Sequence, residues 1–179
     1  RFKKEGINTP KHIFFIKSLK KTMIDYISDF LPQKNLELLT YKSIQNKKIN
    51  NKKFKIFNLK KKTQGQADTV YQYLDNLKKN DSFFINSCDV FSIFDVDKYN
   101  NLTEKSDIIV FVSNKSFTDL SVGSYSWVET DKNRLKKIYI KNKLKKNLKI
   151  LTGNFYFKNK DIYKECYKKV NKKQSEIFI

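Results

Sequence analysis

Asp89 is the acid in this chain best placed to do chemistry, because of what precedes it. Thr63 to Phe91 reads TQGQADTVYQYLDNLKKNDSFFINSCDVF: a Gly-containing turn, a helical pattern, and a short apolar stretch that ends just before that aspartate. In open α/β sheets ligands bind outside the carboxyl ends of the strands, so a carboxylate there can hold a hard cation against phosphates. The same acid could instead cap the next turn, and the pattern alone leaves both readings open. Gly65 opens the unit, and its missing Cβ lets a ligand approach the backbone. Ala67, Val70, Leu74 and Leu77 recur at helical spacing. Beyond Asn80-Asp81, SFFINS is too short for a helix and apolar enough for a strand buried on both faces.

Other reactive residue types carry less. Asp95-Val96-Asp97 has the D-x-D form of metal-dependent glycosyltransferases but lies several residues past the strand end, where acids suit the start of a short helix. His12 is the sole histidine, with no nucleophile or second ligand at a recognisable spacing, and reads as packing or loop structure. Cys88 and Cys166 are far apart and in no C-x-x-C arrangement, which indicates neither a disulfide scaffold nor a zinc site and fits a reducing cytoplasm. Cys88 reads as a small buried residue rather than a nucleophile, since nothing nearby in sequence lowers its pKa specifically.

The elements that must position these residues alternate between strand and helix, the pattern of a sheet with helices on its faces. His12 to Ile16 reads as extended. Met23, Tyr26, Ile27 and Phe30 form a helical stripe, with Thr22 as cap and Pro32 as stop. Leu36 to Tyr41 and Phe54 to Leu59 read as strands separated by the polar loop KSIQNKKINNKK. Further strands are expected at Asp107 to Val112, Tyr125 to Glu129, Leu135 to Lys141 and Lys149 to Phe157. Thr130-Asp131-Lys132-Asn133 is suited to a hairpin. A final helix would put Ile162, Cys166 and Val170 on one side.

At 179 residues the chain is the size of a single domain, 1–179, without internal repeats. No apolar run is long enough to cross a membrane. A net charge of +20 raises nucleic acid or an anionic surface as partner. The lysines, however, are spread along the chain among Asn, Ile, Phe and Tyr, and no basic run is interleaved with aromatics as a stacking platform requires. The surplus reads as solvated faces, with no specific nucleic-acid partner, although it would help attract a triphosphate.

Read with both ends of the chain, the Asp89 unit resembles the sugar nucleotidyltransferases. RFKKEGINTPK resembles the second half of that family's signature, in which a Gly-rich turn ends in Arg and is followed by Pro-Lys; the Gly-rich half does not precede Arg1 here. TQGQADTV resembles the base-contacting Gly segment, INSCDVF the metal-binding Asp segment, and ILTGNFYF the later strand that closes over the acceptor. The resemblance implies a three-layer α/β/α fold of the nucleotide-diphospho-sugar transferase (Rossmann-like) type, with a mostly parallel mixed sheet lacking its first strand. It implies Arg1 on the β- and γ-phosphates, Lys11 at the reacting phosphate, Gly65 and Gln66 along the base, Asp89 on Mg²⁺, and Gly153 and Asn154 on the acceptor side. In the family an acid and a Lys stand together after the hairpin; here the pair is Ile140-Lys141, so Lys141 remains for the acceptor phosphate and the acid is lost.

The activity so implied is transfer of a nucleoside monophosphate from its triphosphate to a sugar phosphate or similar acceptor. Pyrophosphate is released, in the cytoplasm, for surface-polysaccharide or capsule synthesis. The chain, beginning at the Arg of a broken motif, is expected to be a truncated and inactive piece. The alternatives are a D-x-D glycosyltransferase using a nucleotide sugar and a non-catalytic basic binding module. Base, acceptor and oligomeric state are not readable from the residues.

Overall fold

The structure is a computed structural model that describes residues 11–31, 35–41, 54–93, 95–114, 125–140 and 148–169. Its central element is the strand that joins most of the others. Strand β9 (Lys149–Phe157) pairs antiparallel with β5 (Phe83–Ile85), β6 (Ile108–Ser113) and β7 (Trp127–Asp131), and β7 pairs in turn with β8 (Arg134–Tyr139). Phe155 lies between Ile85 and Val110, and Ile150 between Trp127 and Ser113. Strands β5 and β7 therefore follow one another along one side of β9, with β6 on its other side.

Because both flank β9 in opposite sense to it, β5 and β6 run parallel to each other. The mostly parallel pairing expected from the sequence is not met within the described residues. There the parallel ladder is β3 (Leu36–Tyr41) with β4 (Phe54–Leu59), in register from Leu36↔Phe54 to Tyr41↔Leu59. The other ladders are antiparallel, chiefly because β9 inserts between strands of the opposite direction. The result is a mixed α/β architecture. Among the described residues no helix is long and apolar enough to cross a membrane.

Helix α2 (Gln66–Tyr73) continues as a 3-10 turn, Leu74–Asn76, and buries Ala67, Val70 and Leu74 at the spacing the sequence predicts. They meet Ile85, Phe155 and Phe157 of the sheet and Tyr163 and Tyr167 of α4 (Lys160–Lys169) in one core. Of the expected Ile162-Cys166-Val170 side of α4, Ile162 and Cys166 do pack against this core, partly buried, and the residues buried outright are Tyr163 and Tyr167. The tyrosines are buried because their hydroxyls find partners on α2, and Val170 lies outside the described residues. On the opposite face of β9, Tyr156 meets Tyr99 of α3 (Val96–Lys105), whose ring also contacts Phe84 and Phe111. The sheet thus carries helical contacts on both faces.

The amino-terminal part departs most from the sequence reading. Instead of an extended run from His12, Lys11–Ile13 forms a 3-10 turn and a two-residue strand β1 (Phe15–Ile16) pairs with β2 (Lys21–Thr22). Lys20, at φ 51°, closes the 3-10 turn Lys17–Leu19 and reverses the chain before α1 (Met23–Ser28). Thr22 caps α1 as expected, accepting from Asp25 N–H at 3.2 Å. The buried stripe is Ile24, Ile27 and Ser28 rather than Met23, Tyr26, Ile27 and Phe30. Tyr26 and Phe30 pack sideways against Phe91 instead. Pro32 and the polar stretch after Tyr41 lie outside the described residues.

Candidate functional site

The turn before α2 is held in a conformation that only glycine adopts readily. Gly65 has φ 132° and ψ −174°. Its carbonyl accepts from the Thr69 N–H at 3.0 Å and from the Thr69 hydroxyl at 2.9 Å, and that hydroxyl lies 2.8 Å from the hydroxyl of Thr63. Gln64 N–H donates to Asp68 Oδ2 at 3.0 Å, and the Tyr167 hydroxyl donates to Asp68 Oδ1 at 3.2 Å. Burial, and then the Asp68 carboxylate, push the Tyr167 phenol up to about 12, so it stays a donor at neutral pH. Tyr163 donates to the Ala67 carbonyl at 2.8 Å. Helix α4 thereby fixes the first turn of α2.

Across from this turn, β9 leaves its regular register. Val110 of β6 opposes Phe155, but Val112 opposes Leu151. Thr152, Gly153 and Asn154 thus stand against Phe111 alone. The distortion is stabilised locally: the Thr152 hydroxyl donates to the Phe111 carbonyl at 2.9 Å, and Gly153 takes φ 82°, which disfavours any other residue. Gln66 Nε2 donates to the Gly153 carbonyl at 2.9 Å. That bond joins the segment predicted to meet the base to the segment predicted to meet the acceptor. It commits one of the two Gln66 amide N–H groups within the protein, leaving the second N–H as a donor and the amide oxygen as the acceptor of that side chain.

The third component follows β5. Asp89 is exposed in the turn at Cys88-Asp89, and its Oδ1 accepts from the Ser87 hydroxyl at 2.7 Å. Ser87 also donates its N–H to Asn154 Oδ1 at 3.0 Å, and Asn154 Nδ2 donates to Ser92 Oγ at 3.2 Å. A Cβ on Gly153 would meet Ser87 Cβ at 3.5 Å. The segments holding Gly65-Gln66, Ser87-Asp89 and Gly153-Asn154 thus come together. Among the described residues no three or more His, Cys, Asp or Glu side chains gather as a protein-built metal cage. One exposed carboxylate still fits Mg²⁺, which keeps several waters and takes one or two carboxylates beside substrate phosphates.

The remaining candidates fall elsewhere. Arg1 and Lys141 lie outside the described residues, and of Lys11 the backbone alone is described, at the start of a 3-10 turn. Asp95 caps α3, accepting from Lys98 N–H at 3.0 Å, which is the structural reading of the D-x-D stretch. His12 is half-buried, and that burial lowers its pKa. Neither Cys88 nor Cys166 is in a disulfide, and burial pushes the Cys166 thiol up, away from nucleophilic use. Sequence reasoning missed Ser87 and Ser92. The signal was their bracketing of Asp89, but serines near a turn are too common to single out.

No family model and no curated protein sequence matches the chain. Among solved structures it is similar to the crystal structure of the nucleoside-diphosphate-sugar pyrophosphorylase from Vibrio cholerae RC9. The identity is 17% and the TM-score 0.64, over 94% of this chain and 72% of that one. The likeness is one of fold. A sugar nucleotidyltransferase-like α/β fold is what it supports, in line with the segment order read from the sequence.

Proposed function

We propose that the chain forms a nucleotidyltransferase domain that joins a nucleoside monophosphate, taken from a triphosphate, to a sugar phosphate or similar phosphorylated acceptor. The reading includes a three-layer arrangement, with α2 and α4 on one face of the sheet and α3 on the other. The observation that carries it is the Gln66 to Gly153 hydrogen bond beside the Ser87–Asp89 turn, which gathers the segments a nucleotide and its acceptor would share. The fold of the Vibrio cholerae pyrophosphorylase supports the same reading.

In this chemistry an acceptor phosphate oxygen attacks the α-phosphorus. The new P–O bond forms as the bond to the bridging oxygen breaks, and pyrophosphate leaves with that electron pair. Several negative charges converge, so fixed positive charge and exact placement matter more than a covalent nucleophile. Gly65 lets the base lie against the backbone, and the Gln66 amide oxygen accepts from it. Asp89 would hold Mg²⁺, which supplies charge neutralisation across the phosphates. Arg1 is proposed on the β- and γ-phosphates, Lys11 at the reacting phosphate and Lys141 on the acceptor phosphate. Gly153 shapes the acceptor side. Surface-polysaccharide or capsule synthesis is the proposed setting.

The test is pyrophosphate release by the full-length protein with each common ribonucleoside triphosphate and a panel of sugar phosphates. Asp89→Asn is nearly isosteric and should remove most metal-dependent turnover, whereas Asp95→Asn should leave turnover largely intact, since asparagine caps a helix about as well as aspartate does. An inactive Asp95 variant beside an active Asp89 variant would move the assignment to a glycosyltransferase using a nucleotide sugar.

A further inference from the structure

We infer that Asn154 is a positioning residue for the Asp89 loop, not a contact for the acceptor, and that it couples this loop to the Gly65–Gln66 turn through the distortion in β9. The inference rests on the nucleotidyltransferase reading for its functional half. Its structural half stands on burial and hydrogen bonding alone. Asn154 is 0% exposed, so an acceptor cannot reach its side chain without displacing what covers it. Both ends of the amide are engaged with the loop that carries Asp89. Oδ1 accepts from Ser87 N–H at 3.0 Å, and Nδ2 donates to Ser92 Oγ at 3.2 Å.

Ser87 and Ser92 bracket Asp89, and Ser87 in turn donates its hydroxyl to the Asp89 carboxylate at 2.7 Å. One buried amide therefore fixes both ends of a six-residue loop and, through Ser87, orients its acid. A polar side chain taken fully out of water is tolerated only when its groups are bonded, so loss of the amide leaves the Ser87 N–H without this acceptor. The adjacent Gly153 carbonyl receives Gln66 Nε2 at 2.9 Å. Consecutive residues of β9 thus hold the nucleotide-side turn and the metal-side loop at a fixed separation. The irregular stretch Thr152–Asn154, with Gly153 at φ 82°, is what lets them do so.

Two variants of the full-length protein test this: Asn154→Ala, and Ser92→Ala, which removes one arm of the clamp at a less buried position. Amide hydrogen exchange is read peptide by peptide, and Mn²⁺ binding is followed by electron paramagnetic resonance in the presence of each ribonucleoside triphosphate. Asn154→Ala is expected to speed exchange across 87–92 at least tenfold with exchange in 160–169 unchanged, and to weaken Mn²⁺ binding about tenfold. Ser92→Ala should act in the same direction with a smaller effect. Where turnover is measured, kcat should fall while the acceptor KM stays near the native value. Unchanged exchange across 87–92 in both variants would overturn the clamp, as would a rise confined to the acceptor KM. A native protein that binds neither Mn²⁺ nor any triphosphate would instead sink the nucleotidyltransferase reading, and faster exchange across 87–92 would still support the clamp.

Discussion

Replacing Gly153 with alanine separates backbone strain from steric exclusion at the center of the site. Gly153 sits at φ 82°, where an L-residue costs about 1–2 kcal/mol relative to its relaxed backbone. The added Cβ would lie 3.5 Å from Ser87 Cβ and 3.9 Å from Ser87 Oγ, which are ordinary contacts, so no clash adds to the strain. The expected destabilisation is therefore about 1–2 kcal/mol, or roughly 2–8 °C in Tm for a chain of this size. Gly153→Val should cost more, by a further ~1–3 kcal/mol, because its branch must crowd Ser87. The assay is urea denaturation, read as a change in midpoint at constant slope. A neutral alanine variant would refute the left-handed backbone at this position. A loss above about 3 kcal/mol would refute the absence of a clash with Ser87. Either result would also undermine the Gln66 bond to the Gly153 carbonyl, which depends on the same local geometry.

Other expectations follow from single contacts. Tyr163→Phe removes the hydroxyl that donates to the Ala67 carbonyl and should cost about 1 kcal/mol, whereas Tyr163→Ala empties the center of the core and should cost ~3–5 kcal/mol in the same denaturation assay. Burial lowers the His12 pKa below its ordinary 6.5, so the folded state binds the proton less well than the unfolded one. Stability should be full above 6.5 and fall as pH drops from there toward the folded pKa; melts between pH 5 and 8 should show this slope, and His12→Gln should flatten it. Lys132 and Asn133, at φ 45° and 65°, form a two-residue hairpin turn that Asn-Gly suits better, so Lys132→Asn with Asn133→Gly should raise stability by about 0.5–1 kcal/mol.

What was legible in the sequence is what local pattern encodes. The 3.6-residue spacing of Ala67, Val70 and Leu74 predicted the buried face of α2, and the β-rich runs predicted β3, β4 and β9 to the residue. The Asp-Lys-Asn turn and the Asp95 cap followed from the same kind of local chemistry. Strand direction is different. Phe83–Ile85 and Ile108–Ser113 carry apolar residues whether their neighbour runs with or against them, so nothing in either run shows that β9 inserts antiparallel between them. The full burial of Tyr163 and Tyr167 on α4 went unread for a related reason: they look amphipathic until α2 supplies the carbonyl and carboxylate that make their burial tolerable.

Asn154 shows the same limit, because the acceptor contact expected of it rests on local pattern whereas the bonds it makes are long-range. A polar side chain beside a glycine in an apolar strand invites a ligand contact, since in isolation its amide would need a partner from outside. Its partners are inside, but 67 and 62 positions earlier in the chain, at Ser87 and Ser92. Local periodicity cannot see bonds of that separation. On the proposed reading, an amide buried and bonded within the protein leaves acceptor selection to groups that remain accessible beside Gly153. Asp89, by contrast, is exposed and keeps its carboxylate at the strand end, with Ser87 on one oxygen. On that reading the site divides between a buried amide that sets the distance between its segments and an exposed acid that would meet what binds there.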